Sequence, residues 1–380
     1  MNKGKLLSIV VPTKDRYPYL KKLIELIVSF NSDDIELVIQ DNSDDNREFS
    51  EFIKSLDKEF IKYNYIHGQI PMSKNSDNAI LNASGEYICF IGDDDGVTID
   101  IIECVRYMKE NNIEALRSIP ASYCWPEVGS NRFLKMGSRV VYDLPTNYVV
   151  QVSSQEALEE LLHKGFVSRG RLPLVYHGIV SRKALEKVYD IGGTFFPGSS
   201  PDISSGVALS FVVDNVCFYN KIVTFSGASK YHGGGVYTSG KKHPDLTDIK
   251  WLLPGAVENW DPRLPKIGEG DPIWCDSSIK ALRYMKKADL EESINFENLY
   301  VHFALSHKDL IAMSLSLTRS KNKFYFSFVK GLIRRYYHGI CELFWSKFDR
   351  IPQKNSKLGF NDVIEASSYF HTINQSVITL

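Results

Sequence analysis

The sequence predicts an α/β protein built on an open, doubly wound and mostly parallel sheet, with a helical C-terminal extension. Three observations predict it. Apolar, β-branched runs alternate with helix-spaced segments from Leu6 to Ile91. Polar clusters close three of those runs, at Thr13-Lys14-Asp15-Arg16, Asp41-Asn42-Ser43 and Asp93-Asp94-Asp95. Beyond about residue 275 the apolar spacing turns helical and stays so.

Each element follows in order. Leu6 to Val11 is a continuous apolar run that reads as a buried parallel strand ending at Pro12. Tyr19 to Phe30 has helical spacing through Leu20, Leu23, Ile24 and Ile27. Ile35 to Ile39 is the second strand, Phe49 to Phe60 a helix, and Ile61 to Ile66 the third strand. Ser73 to Ala83 is a helix that Ser84-Gly85 stops. Tyr87 to Ile91 is the fourth strand, leading into the three aspartates. Four strands therefore alternate with three helices, the pattern of a doubly wound sheet. Ligands of such sheets sit beyond the carboxyl ends of the strands. The three polar clusters are expected to meet there.

The middle of the chain is mixed. Val175 to Ser181 and Val216 to Phe225 read as strands, Arg182 to Tyr189 and Ile203 to Val213 as helices. Ser226 to Gly240 is rich in Gly and Ser and reads as a ligand-covering lid. Pro244 to Pro272 holds five prolines and little periodicity. These changes divide the chain into a catalytic domain over 1–285, with a nucleotide-binding half over 1–115 and an acceptor half over 116–285. A helical region follows over 286–380.

Composition narrows the function. The net charge of −1 gives no basic field for nucleic acid. Six scattered cysteines show no metal-ligand or redox spacing, and fit reduced thiols. The N-terminal run is too short for a signal peptide and no stretch approaches a membrane span, so a cytoplasmic location is expected. GxGxxG is missing after the first strand and GxxxxGK[ST] is missing altogether, which disfavours dinucleotide and P-loop sites.

The aspartate triplet carries the chemistry. Three adjacent carboxylates repel, and a hard cation such as Mg²⁺ or Mn²⁺ relieves that repulsion while bridging to phosphates. Strand alternation puts Asp93 and Asp95 on one side and turns Asp94 away. A solvated acidic turn is the plainer reading.

Taken together, several segments resemble the ordered motifs of the family 2 glycosyltransferases. They are Ser8-Ile-Val-Val-Pro12-Thr13 with Asp15-Arg16, Leu37-Val-Ile-Gln-Asp41-Asn-Ser43, Asn75-x-x-Asn78-x-x-x-x-Ala83-Ser-Gly85-Glu-Tyr-Ile88, and Asp93-Asp94-Asp95. These are inverting enzymes of GT-A fold that use nucleotide sugars, and the likeness is to bacterial capsule and lipopolysaccharide transferases. The resemblance implies Mn²⁺ or Mg²⁺ and a nucleoside-diphosphate sugar, UDP favoured. It implies Asp95 as metal ligand, with Asp93 on the ribose or a metal-bound water. Pro12, Thr13 and Asp41 are placed near base and ribose, where Asp41 also suits an Asx turn. Arg16 suits phosphate or an ion pair with Asp15. Lys74, Asn75 and Asn78 open a helix whose N-terminus attracts anions. Asp202, in Ser200-Pro201-Asp202, looks like the family's catalytic acidic motif and is taken as general base, with a helix N-cap as its plainer role. Lys230 is placed against the diphosphate and His232 as a further metal ligand, where a loop histidine is the plainer reading. His177 reads as a core histidine.

Lys321 to Arg350 combines aromatic residues at helical spacing with seven basic side chains against Glu342 and Asp349. It suits anionic lipid, or packing on the catalytic domain or another subunit, so peripheral membrane contact and an oligomer both stay open. The expected function is metal-dependent transfer of a sugar to a saccharide or lipid-linked acceptor in surface polysaccharide synthesis. The alternatives are a sugar-phosphate nucleotidyltransferase and a non-catalytic nucleotide-sugar-binding assembly subunit.

Overall fold

The computed structural model describes residues 4–129, 134–146, 148–230, 244–268, 270–351 and 353–376. The first elements are β1 (Leu7–Thr13), α1 (Tyr17–Ser29), β2 (Ile35–Asp41), α2 (Arg47–Leu56), β3 (Ile61–Tyr65), α3 (Met72–Leu81) and β4 (Tyr87–Phe90). β1 pairs in parallel with β2 and β4, and β2 with β3. Register Thr13↔Asp41 brings two of the polar clusters side by side. α2 stops four residues short of the expected Phe60, because Asp57 takes a left-handed conformation at φ 47°.

The chain continues through β5 (Gly96–Val97), α4 (Asp100–Glu110), β6 (Ala115–Ser118), β7 (Ala121–Cys124), β8 (Arg139–Tyr142), β9 (Val150–Val152), α5 (Ser154–Lys164), β10 (Gly178–Ser181), α6 (Arg182–Gly192), α7 (Pro201–Leu209), β11 (Val216–Tyr219) and β12 (Thr224–Ala228). The large sheet has the order β3-β2-β1-β4-β10-β6-β11-β9. β10 runs antiparallel to both its neighbours and β9 antiparallel to β11; the other strands share one direction.

Two expected strands break. Val175 to Ser181 becomes a regular strand only at Gly178: Tyr176 makes an isolated parallel bridge to Phe90, and His177 then sits at φ 56°. Val216 to Phe225 splits between sheets: β11 stays in the large one and β12 joins a second, ordered β13-β8-β7-β12-β5, with β13 at Asn355–Leu358. Ile222 and Val223, at the corner between them, are fully buried, so the apolar run hides the change of partner.

Glu36 clamps the β1–β2–β4 region. Its carboxylate accepts from Ser8 Oγ at 2.6 Å, Ser84 Oγ at 2.7 Å and Lys62 Nζ at 2.8 Å. Burial raises its pKa, but these donors outweigh burial and hold it at about 2. Gly85 is required at the same place: a Cβ there would stand 2.6 Å from Ser8 N.

The C-terminal stretch departs from a purely helical extension. β13 pairs antiparallel with β8, and the helix Val363–Ser376 packs back on the N-terminal core. Val363, Ala366 and Phe370 share one apolar cluster with Leu7, Ile9 and Phe225. Ser367 Oγ donates to Val97 O at 2.8 Å, and Asn374 binds both Asp100 and Ile222. The tail therefore braces the strand that follows the aspartates, across the expected boundary at 285. The helix Lys321–Ser346 differs again. Of its residues only Phe324 is fully buried, while Phe326, Ile333, Tyr336 and Tyr337 are exposed. No described helix is long and apolar enough to cross a membrane.

Candidate active site

A cavity of about 560 Å³ opens beyond the carboxyl ends of β1, β2 and β4. Pro12, Thr13, Arg16, Asn75, Asp94 and Asp202 all line it, although they come from four separate segments. Of the other expected residues, Asp93 and Asp95 lie beneath its wall. Asp15, Lys74 and Lys230 are exposed outside the lining, Asn78 also lies outside it, and His232 falls outside the described residues.

The three aspartates divide their work differently from strand alternation. The chain leaves the sheet at Phe90 and turns, with Asp95 N donating to Gly92 O at 3.3 Å. Alternation applies only to extended backbone, so it fails here. Asp94, expected to point away, is the aspartate that lines the cavity. Its Oδ2 accepts from Ser229 Oγ at 2.6 Å and lies 3.4 Å from Arg16 Nη1.

Asp95, expected to hold the metal, faces inward. Oδ1 accepts from Gly227 N at 2.7 Å, and Oδ2 from Gly92 N at 2.6 Å and Tyr176 Oη at 3.0 Å. His177 Nε2 is 3.1 Å from Oδ2, near enough for charge pairing but out of line for a hydrogen bond. Burial opposes ionisation of Asp95, yet His177 and the two backbone donors outweigh it and hold the carboxyl below its usual range. Gly227 is needed for this contact, since a Cβ would fall 1.7 Å from Asp94 O.

Asp93 is fully buried and meets Thr13 Oγ1 at 2.6 Å and Arg16 Nε at 3.1 Å; Arg16 Nη2 also pairs with its Oδ1. Burial pushes the Asp93 carboxyl up and Arg16 pulls it down. With the guanidinium against both oxygens, the two form an ion pair. Burial would lower the Arg16 pKa, but Asp93, Asp94 and Asp95 outweigh it and hold Arg16 above its ordinary range. Asp93 therefore positions Arg16 at the cavity wall rather than facing a ligand, which corrects its expected ribose contact. Asp15 is not the partner of Arg16; its Oδ1 accepts from Asp44 N.

Asp41 also turns out to be structural. Its Oδ1 closes an Asx turn with Ser43 N at 2.8 Å, and Oδ2 takes the Tyr17 and Tyr63 hydroxyls at 2.8 and 2.6 Å. Its neighbour Asn42 lines the cavity instead, accepting from Asn75 Nδ2 at 3.2 Å. Asn75 Oδ1 is buried with no hydrogen-bond partner, an acceptor left for a ligand donor.

Across the cavity, Ser200 is the N-cap residue of α7, with Pro201 at its first turn, so Asp202 is inside the helix rather than its cap. Asp202 Oδ1 accepts from Ser200 Oγ, and Oδ2 lies 3.6 Å from Arg169 Nη1. Its side chain is 19% exposed, towards the cavity it lines. Sequence reasoning missed Tyr176, Trp251 and Trp274 on the same walls. Trp251 arrives with the proline-rich segment, whose carbonyl accepts from Met72 N at 3.1 Å. Nothing periodic marks that segment; its tryptophans were the only signal. Apolar ring faces of this kind suit the C–H faces of sugars.

Residues 8–132 match the family model Glycosyl transferase family 2. That stretch is similar to the family 2 glycosyltransferases. A curated relative, the GalNAc(5)-diNAcBac-PP-undecaprenol beta-1,3-glucosyltransferase of Campylobacter jejuni subsp. jejuni serotype O:2, is 34% identical over 94 residues, 23% of this chain. The match spans 29% of that relative's length. Solved structures overlap this chain loosely. S. aureus TarS 1-349 in complex with UDP-GlcNAc gives TM-score 0.48 and 14% identity over 98% of this chain and 91% of that one. The mannosyltransferase PcManGT from Pyrobaculum calidifontis, in complex with GDP-Man and Mn²⁺, gives 0.36 and 12% over 92% and 88%. The β3-β2-β1-β4 parallel core with an antiparallel β10 beside it is the doubly wound, mostly parallel sheet expected from the sequence, with helices added at the C-terminal end.

Proposed function

We propose that this chain is an inverting glycosyltransferase moving a sugar from a nucleoside-diphosphate sugar to a saccharide acceptor. The observation that carries it is the placing of Asp94 and Asp202 on the walls of one cavity, from segments more than a hundred residues apart. Its volume is within the range of about 300–1,000 Å³ usual for small-molecule sites.

Asp202 takes the proton from the acceptor hydroxyl. The acceptor oxygen bonds to the anomeric carbon while the bond from that carbon to the diphosphate oxygen breaks, and the electron pair leaves on the nucleoside diphosphate. Attack opposite the leaving group inverts the centre. Arg16, held by Asp93, presents positive charge where the diphosphate lies. Among the described residues no three ligating side chains stand together, so an all-protein metal cage does not fit. Hard cations are also held by one or two carboxylates plus substrate phosphates, and the cavity-facing Asp94 fits that mode. A Mn²⁺ or Mg²⁺ bound there supplies Lewis-acid neutralisation of the departing diphosphate.

The curated relative is named for a lipid-diphosphate-linked saccharide, which supports an acceptor of that kind in surface glycan synthesis. The purified protein with Mn²⁺ is expected to release nucleoside diphosphate slowly from its own nucleotide sugar. Saturating diphosphate of the right base should raise thermal stability, by about 2.7 kcal/mol at a hundredfold excess over Kd. A panel of bases identifies the donor, now that Asp41 no longer points to uracil. No release and no stabilisation by any member would sink the proposal.

A lipid-linked acceptor also gives the exposed face of Lys321–Ser346 a purpose. Its aromatic residues and the surrounding Lys321, Lys323, Lys330, Arg334 and Arg335 suit an anionic bilayer surface. The protein is expected to sediment with vesicles containing anionic lipid. Replacing Phe326, Tyr336 and Tyr337 by serine should release it; equal sedimentation with neutral vesicles, or no effect of the substitutions, argues against the membrane role.

A further inference from the structure

A small polar cavity of about 100 Å³ adjoins the main one, and Tyr176 lines both. Arg117, Arg169, His177, Thr224 and Ser226 are on its walls, and no carboxylate is. Arg117 rises from β6. Its Nη1 donates to the carbonyls of Gly170 at 2.6 Å and Leu172 at 3.4 Å, and its guanidinium stacks over Phe218. Among the described residues no carboxylate steadies it: burial, and then the charge of Arg169, push its pKa down to about 10. Both ring nitrogens of His177 are buried without a hydrogen-bond partner. Buried cations are normally paired. Asp95 stands beside His177 and Asp202 beside Arg169, but Arg117 keeps no carboxylate partner among the described residues, and its charge on a carboxylate-free cavity is one that a small oxyanion would balance. The guanidinium fork matches phosphate and carboxylate alike.

Arg169 fixes which substrate this concerns. Besides lining the small cavity, its Nη1 is 3.6 Å from Asp202 Oδ2 and its guanidinium 6.0 Å from the Trp274 ring. The subsite thus adjoins the base, not the Arg16–Asp94 end. We propose that it holds a phosphate or carboxylate group carried by the acceptor, so that the acceptor is an anionic saccharide. The acceptor assignment rests on the reading of Asp202 as base; the binding of an oxyanion does not.

Calorimetric titration of the full chain with inorganic phosphate, and separately with acetate, tests this. At least one is expected to bind wild type, with Arg117→Gln weakening it about tenfold or more, as loss of a charge-assisted contact requires. Arg169→Gln, at a side chain 35% exposed, should weaken it as well and serves if Arg117→Gln fails to fold. Tighter phosphate supports a phosphate-bearing acceptor, tighter acetate a carboxylate-bearing one. Binding of neither ion, or affinity unchanged in both variants, overturns the subsite. Release of nucleoside diphosphate is scored in parallel. Intact release without oxyanion binding overturns the subsite alone. Arginine-dependent binding without any release supports the subsite and overturns the transferase reading.

Discussion

Asp94→Asn should lower both sugar transfer and slow donor hydrolysis by about two to four orders of magnitude. Neutralising the charge that develops on a leaving diphosphate is worth several kcal/mol, and each 1.36 kcal/mol is tenfold in rate. Asp94 is the one member of the triplet on the cavity wall. The asparagine keeps the shape and the contact to Ser229 Oγ while removing the charge. The backbone carbonyl that accepts from Trp125 Nε1 at 2.9 Å is untouched, so the melting temperature should stay near wild type. EDTA should give a similar loss, reversed by Mn²⁺. Turnover within threefold of wild type would remove Asp94 from the diphosphate site. Asp95 belongs to another class: its carboxylate ties Gly92, Gly227 and Tyr176 together, so losing it loosens the turn that aims Asp94.

Asp202→Asn should cut transfer by about two to four orders of magnitude, the usual worth of a positioned general base. The substitution keeps a carbonyl for Ser200 Oγ but cannot take the acceptor proton. Nucleoside diphosphate should still raise the melting temperature as in wild type, because the residue is on the acceptor side. The loss should therefore fall on kcat with little change in donor KM. Unchanged kcat would assign Asp202 to holding Arg169 and leave the base to be found elsewhere. The two variants separate the ends of the cavity: one weakens handling of the leaving group, the other only the attack.

Much of this site was legible in the chain. The runs ending at Pro12, Ile39 and Ile91 are strands because continuous β-branched stretches have no solvent face to spare, and each polar cluster follows directly. Convergence at the strand ends then follows from parallel topology. Pro12, Thr13, Arg16, Asn75 and Asp202 were named from sequence as facing a ligand and line the cavity; Asp94, expected to turn away, lines it as well. Their individual roles were less legible. Asp41 carries a ligand-like motif, but whether its carboxylate is spent internally depends on Tyr17 and Tyr63, on other elements. His177 reads as a core residue because nothing local shows that a left-handed φ swings it beside Asp95.

The sequence by itself determined the β–α alternation, the parallel core and the strand ends where ligand chemistry collects. Those properties follow from local periodicity and from where polar residues interrupt it. Tertiary structure decided which aspartate faces the cavity, since a turn cancels strand alternation once the chain leaves the sheet. It also decided what supports that turn. Gly227, Tyr176 and the returning tail at Ser367 come from distant segments, and contacts between distant segments leave no periodic trace in either one.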